Sequence, residues 1–149
     1  MMKDDVAVEV LIVEDNPHDL EMTLRALRKH RLGNHVVTLS DGAAALDFLF
    51  ARGAYANRNI TDAPNVVFLD LKLPKIDGVE VLRQVKADPR TKAIPIVIVT
   101  SSAEDRDRLE SYELGVNSYV VKPIEFDAFA QTIADLGFYW LAVNRPPVR

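Results

Sequence analysis

Five short runs of β-branched and aliphatic residues recur along this chain, at Val8–Val13, Val36–Leu39, Val66–Leu69, Ile96–Val99 and Tyr119–Val121. Most are continuously apolar rather than alternating, as in strands covered on both faces. The intervals carry apolar residues at helical spacing: Leu20, Leu24 and Leu27; Leu46, Leu49 and Phe50; Val79, Leu82 and Val85. Strand followed by helix, repeated five times, predicts an α/β fold with a doubly wound parallel sheet of five strands flanked by five helices. Helix signals agree with this. Asn16-Pro17 offers an N-cap with proline at the first helical position. Ser102 stands three residues before Asp105, and Leu114-Gly115 supplies a glycine for the C-terminal stop. Ala51–Pro64 is a long connection that predicts a surface excursion, and 144–149, with Pro146-Pro147, predicts an extended tail.

Ligands of such sheets bind beyond the carboxyl ends of the strands. The first run ends in Glu14-Asp15, the third in Asp70, the fourth in Thr100-Ser101-Ser102 and the fifth in Lys122-Pro123. One edge would therefore gather three carboxylates, a hydroxyl and an ammonium. Crowded carboxylates resist ionising together unless a counter-charge joins them. Mg²⁺, or Mn²⁺ in its place, takes oxygen ligands and resolves the repulsion. One carboxylate is then free to act as a nucleophile toward phosphorus, with Lys122 and the metal absorbing charge and Thr100 hydrogen-bonding a phosphoryl oxygen. Singly, each residue has a plainer explanation: Asp15 as a helix-cap acid, Lys122 as a solvated charge, Thr100 as the end of a strand. Their conjunction on four different strand ends favours the chemical one.

Other chemistries fall away on composition. There is no cysteine, so disulfides, zinc-thiolate sites and thiol catalysis are excluded. With 18 Lys and Arg against 22 Asp and Glu the net charge is −4, which disfavours nucleic acid and anionic membrane as partners. No apolar run approaches the ~20 residues of a membrane span, and Met1-Met2-Lys3-Asp4-Asp5 does not read as a signal peptide, so a cytoplasmic location is expected. The turn after the first run is Glu-Asp-Asn-Pro and lacks the glycines of a dinucleotide site or P-loop.

The segments VLIVEDN at 10–16, VVFLDLKLPKIDG at 66–78, PIVIVTSS at 95–102 and YVVKP at 119–123 together resemble the receiver domain of two-component response regulators. The resemblance covers nearly the whole chain and implies one receiver domain over 1–149, with its core at about 8–143 and a flavodoxin-like strand order 2-1-3-4-5. It implies that Asp70 accepts the phosphoryl group from a sensor histidine kinase. Asp15 would be the main Mg²⁺ acid, with Glu14 its partner, and Asp70 and the backbone carbonyl of Lys72 would complete the ligands. Thr100 would be the switch hydroxyl, Tyr119 the aromatic that moves inward on activation, and Lys122 the charge that grips the phosphoryl group. The Lys122-Pro123 bond is often cis in this family, and Lys72 and Ser102 match positions that tune dephosphorylation. The excursion at 51–64, SYELGVNSYVVKP and FYWLAV are further similar to single-domain regulators that work with bacterial phytochromes.

Beyond Lys122, Phe126, Phe129, Ile133, Leu136, Trp140 and Val143 step by 3, 4, 3, 4 and 3, an amphipathic helix covering the sheet. Phe138, Tyr139 and Leu141 lie off that stripe, leaving the last turns apolar nearly all round, so a homodimer through this helix is expected. Two other functions compete with a phosphorylation switch of protein contacts. A metal-dependent phosphohydrolase on a similar sheet would need a second acid two residues past its nucleophile, where this chain has Lys72. A constitutive dimeric scaffold would have no use for the acidic site.

Overall fold

Alternate residues of each strand feed opposite faces of a single sheet, which explains why the runs are apolar throughout. The structure, a computed structural model, describes residues 10–29, 35–100, 118–122 and 127. Strands β1 (Val10–Val13), β2 (Val36–Leu39), β3 (Val66–Asp70), β4 (Ile96–Thr100) and β5 (Ser118–Val121) form one sheet in the order β2-β1-β3-β4-β5, every pairing parallel. Leu11, Val13, Val67, Leu69, Ile96 and Ile98 pack with α2 (Gly42–Leu49) and α3 (Gly78–Ala87). Their neighbours Val10, Ile12, Val66, Phe68, Val97 and Val99 pack on the other face with Ala26 and Leu27 of α1 (Pro17–Lys29). The α/β fold, the doubly wound sheet and its strand order agree with the expectation from sequence. The expected fourth and fifth helices, Ser102, Pro123, the apolar segment at 126–143 and the tail at 144–149 lie outside the described residues, apart from Asp127.

The order reverses between β1 and β3, because the chain leaves β1 for β2 on one side and crosses to β3 on the other. That reversal opens a crevice at the carboxyl ends of β1 and β3. Register makes it specific. Val13 pairs with Leu69, so Glu14 and Asp70 leave the sheet side by side; Thr100 pairs with Val121, which brings Lys122 to the same edge.

Caps fix the elements that border the crevice. Asn16 Oδ1 accepts from the Asp19 N–H at 3.0 Å, the cap that the Asn-Pro signal predicts. Asp41 Oδ1 caps α2 through the Ala44 N–H at 2.7 Å, and Asp77 Oδ1 caps α3 through the Glu80 N–H at 3.0 Å. The 51–64 excursion, with a single 3-10 turn at Gly53–Tyr55, is stitched to α2. The Tyr55 ring meets Phe48 edge-on at 5.2 Å, and the Arg58 guanidinium lies 3.9 Å from the Phe48 ring centre.

Candidate functional site

At the β1–β3 crevice, Glu14 and Asp70 are each only 5% exposed, whereas Asp15 projects into solvent at the rim. Oxygens of Glu14, Asp15 and Asp70 all lie within 4.8 Å of one another. Lys122 sits among them: its Nζ donates to Glu14 Oε2 at 3.1 Å and to Asp70 Oδ2 at 3.2 Å. Backbone donors hold the acids in place. The Asn16 N–H donates to Glu14 Oε2 at 3.2 Å, and the Lys72 N–H donates to Asp70 Oδ1 at 3.2 Å. An open cleft above them is lined by Asp15, Asn16, Pro17, Asp19, Asp70, Lys72 and Lys122.

Burial, and then the charge and hydrogen bond of Asp70, push the Glu14 carboxyl up to about 7; Lys122 pulls the other way without offsetting them. Burial also opposes the charge on Lys122, but its pairing with Asp19 and the fields of Asp70 and Glu14 outweigh that and hold its pKa above the usual lysine range. One ammonium therefore under-compensates the acids. This is the condition in which a hard divalent cation binds well, and the all-oxygen donor set fits one.

The raised Glu14 carboxyl makes folding stability depend on pH. A folded chain that holds a proton on Glu14 up to about pH 7 gains stability that is fully present below about 4.5 and lost as pH rises through about 7. In EDTA the Tm should fall by a few degrees between pH 5 and pH 8. Saturating Mg²⁺ should shrink that fall, because the metal binds the ionised acids of the folded state. Glu14→Gln should flatten the EDTA profile; a slope of unchanged size would assign the titration elsewhere.

Of the residues singled out from sequence, the structure brings Glu14, Asp15, Asp70, Lys72 and Lys122 to one cleft. Thr100 stands at the end of β4 and Tyr119 on β5 opposite Ile98, both on the strands expected. One participant was missed. Asp19 Oδ2 lies 2.8 Å from Lys122 Nζ, nearer than either strand-end acid. The available signal was its position three residues past the Asn16 cap, on the first turn of α1 and so at the same edge.

The chain matches the response regulator receiver domain family over residues 10–134. It is 40% identical to the probable methanogenesis regulatory protein FilR2 of Methanothrix harundinacea, across 93% of this chain and 86% of that protein. It is 36% identical to response regulator Rcp1 of Synechocystis, across 89% and 88%. Among solved structures, bacteriophytochrome response regulator RtBRR superposes with a TM-score of 0.80 at 49% identity, across 95% of this chain and 85% of that one. The Mn²⁺-bound form of Rcp1 superposes with a TM-score of 0.78 at 35% identity, across 96% and 100%.

Proposed function

This chain belongs to the response regulator receiver family and is homologous to phytochrome response regulators, and we propose that it takes its phosphoryl group on Asp70. The observation that carries this assignment is the placement of Lys122 Nζ 3.2 Å from Asp70 Oδ2 beside Glu14 and Asp15. Asp70 supplies the attacking oxygen, and the Lys72 N–H fixes the rotation of its carboxylate. Glu14, Asp15, Asp70 and the Lys72 carbonyl hold Mg²⁺ or Mn²⁺, which when bound screens charge on the transferring group. Lys122 faces the same group as a point charge. Thr100 and Tyr119 act as the switch pair on β4 and β5.

The donor we propose is a sensor histidine kinase of the bacterial phytochrome type, met in the cytoplasm. No described helix is long and apolar enough to cross a membrane. The test is phosphotransfer: a radiolabelled, autophosphorylated phytochrome kinase mixed with the chain and Mg²⁺ should pass its label within seconds to minutes. Transfer from unrelated kinases at an equal rate would defeat the phytochrome assignment, and no transfer from any would defeat the function. The run of apolar residues at 138–141 further supports a homodimer that phosphorylation adjusts. Trp140→Ala should then weaken dimerisation at least ~30-fold by light scattering. A wild-type chain that stays monomeric with and without a phosphoryl mimic would refute it.

A further inference from the structure

Lys122 is held by three carboxylates, and only two of them belong to the acceptor and metal set. The third, Asp19, makes the shortest of the contacts, 2.8 Å against 3.1 and 3.2 Å. Both partners are largely withdrawn from solvent, with side-chain exposures of 12% for Lys122 and 15% for Asp19. Asp19 is also fixed from behind. Its N–H donates to the Asn16 cap at 3.0 Å and its carbonyl accepts from the Thr23 hydroxyl at 3.1 Å, so the main chain that carries the carboxylate is fixed in the first turn of α1. Among the described residues, that contact ties the first helix to the end of β5, and the carboxylate also lines the cleft above Asp70.

We propose that Asp19 is a positioning residue that holds the Lys122 ammonium at the rim of the cleft, so that an incoming phosphoryl group must draw Lys122 away from it. This rests on Asp70 being the acceptor. Two effects of the Asp19 carboxylate then oppose phosphorylation. The ammonium is already engaged when the phosphodonor arrives. Once Lys122 turns to the phosphoryl group, Asp19 is left as an unpaired carboxylate facing a new dianion across the cleft. Asp19 thereby favours the unphosphorylated state without touching phosphorus.

The test compares wild type, Asp19→Asn and Asp19→Glu at saturating Mg²⁺, with two small donors of different charge. With acetyl phosphate, a dianion at neutral pH, an Asp70 oxygen forms the bond to phosphorus as the bond to acetate breaks, and acetate leaves with that electron pair. Phosphoramidate reacts likewise, releasing ammonia, but carries less negative charge. Asp19→Asn should label about three- to tenfold faster than wild type with acetyl phosphate at low salt, and the gain should fall below about twofold at 0.5 M salt. The gain with phosphoramidate should be smaller. Asp19→Glu, which keeps the charge, should stay within about twofold of wild type. If Asp19→Asn labels like wild type with both donors, or if Asp19→Glu is as fast as Asp19→Asn, Asp19 is only a first-turn acid of α1 and the proposal is wrong. A wild-type chain that takes no label from either donor would overturn the Asp70 assignment and this proposal with it.

Discussion

Asp70→Asn should take no label from acetyl phosphate or from a histidine kinase, while wild type should take one phosphoryl group per chain. The substitution replaces the carboxylate proposed to attack phosphorus with an amide of nearly the same shape, so the expected loss is chemical rather than steric. Folding should survive it, and the electrostatics say in which direction stability moves. Asp70 is the second-largest cause, after burial, of the raised Glu14 carboxyl. Removing its charge lets Glu14 ionise nearer the ordinary range, while Lys122 keeps Glu14 and Asp19 as partners. In EDTA at pH 8 the variant should therefore melt at or above the wild-type temperature, and added Mg²⁺ should raise that temperature less than it does in wild type. Mass spectrometry of the labelled chains and paired melts decide both parts. Label on Asp70→Asn equal to wild type, or wild-type labelling that survives EDTA, would remove Asp70 from the role proposed. An unlabelled variant that melts well below wild type would show that the Asp70–Lys122 contact outweighs the crowding.

The strands were legible because their apolar runs are unbroken, a pattern that a sheet covered on both faces imposes residue by residue. Val36–Leu39 is a strand over the residues expected, the third, fourth and fifth runs each gain one residue at an end, and the first is a strand over its described part, Val10–Val13. The site was legible for a related reason: β-α repetition places the end of every strand on one edge, so Glu14, Asp15, Asp70 and Lys122 need no long-range information beyond topology. Asp19 was not legible in the same way. It lies on a helix, where an acid in the first turn is explained by the macrodipole alone. Its pairing with Lys122 joins the first helix to the end of the last strand, a contact that only the closed sheet creates. The 51–64 excursion was legible as a connection but not in its anchoring, since nothing in the local sequence places Arg58 over the Phe48 ring.

The structure gives a steric reason for glycine at 78. A Cβ on Gly78 would stand 2.3 Å from the Asp70 carbonyl oxygen and 2.6 Å from Leu71 Cα, both main-chain atoms that cannot rotate away. The Gly78 N–H donates to the Leu71 carbonyl at 2.7 Å, so the first turn of α3 is pressed against the strand end that bears Asp70. Gly42, at the start of α2, is pressed against the middle of the same loop: its Cβ would lie 1.8 Å from the Ile76 carbonyl oxygen, and its N–H donates to the Pro74 carbonyl at 3.2 Å. Between Pro74 and Ile76, the two residues that Gly42 meets, Lys75 stands at φ 70°, a left-handed conformation. Gly78→Ala and Gly42→Ala should each lower the Tm by about 5–10 °C, since neither clash can be relieved by a side chain. Gly78→Ala should also slow phosphorylation of the folded chain by about 10- to 100-fold, because the displaced main chain is that of Asp70 itself. Gly53→Ala is the control. Gly53 sits at φ +59° and the atoms nearest its Cβ would be those of the Asp47 carboxylate, so alanine there strains a surface turn away from the site. It should cost stability and leave the labelling rate unchanged. If Gly78→Ala labels as fast as Gly53→Ala once both are fully folded, the close approach of α3 to β3 serves the fold alone and does not set the position of the acceptor.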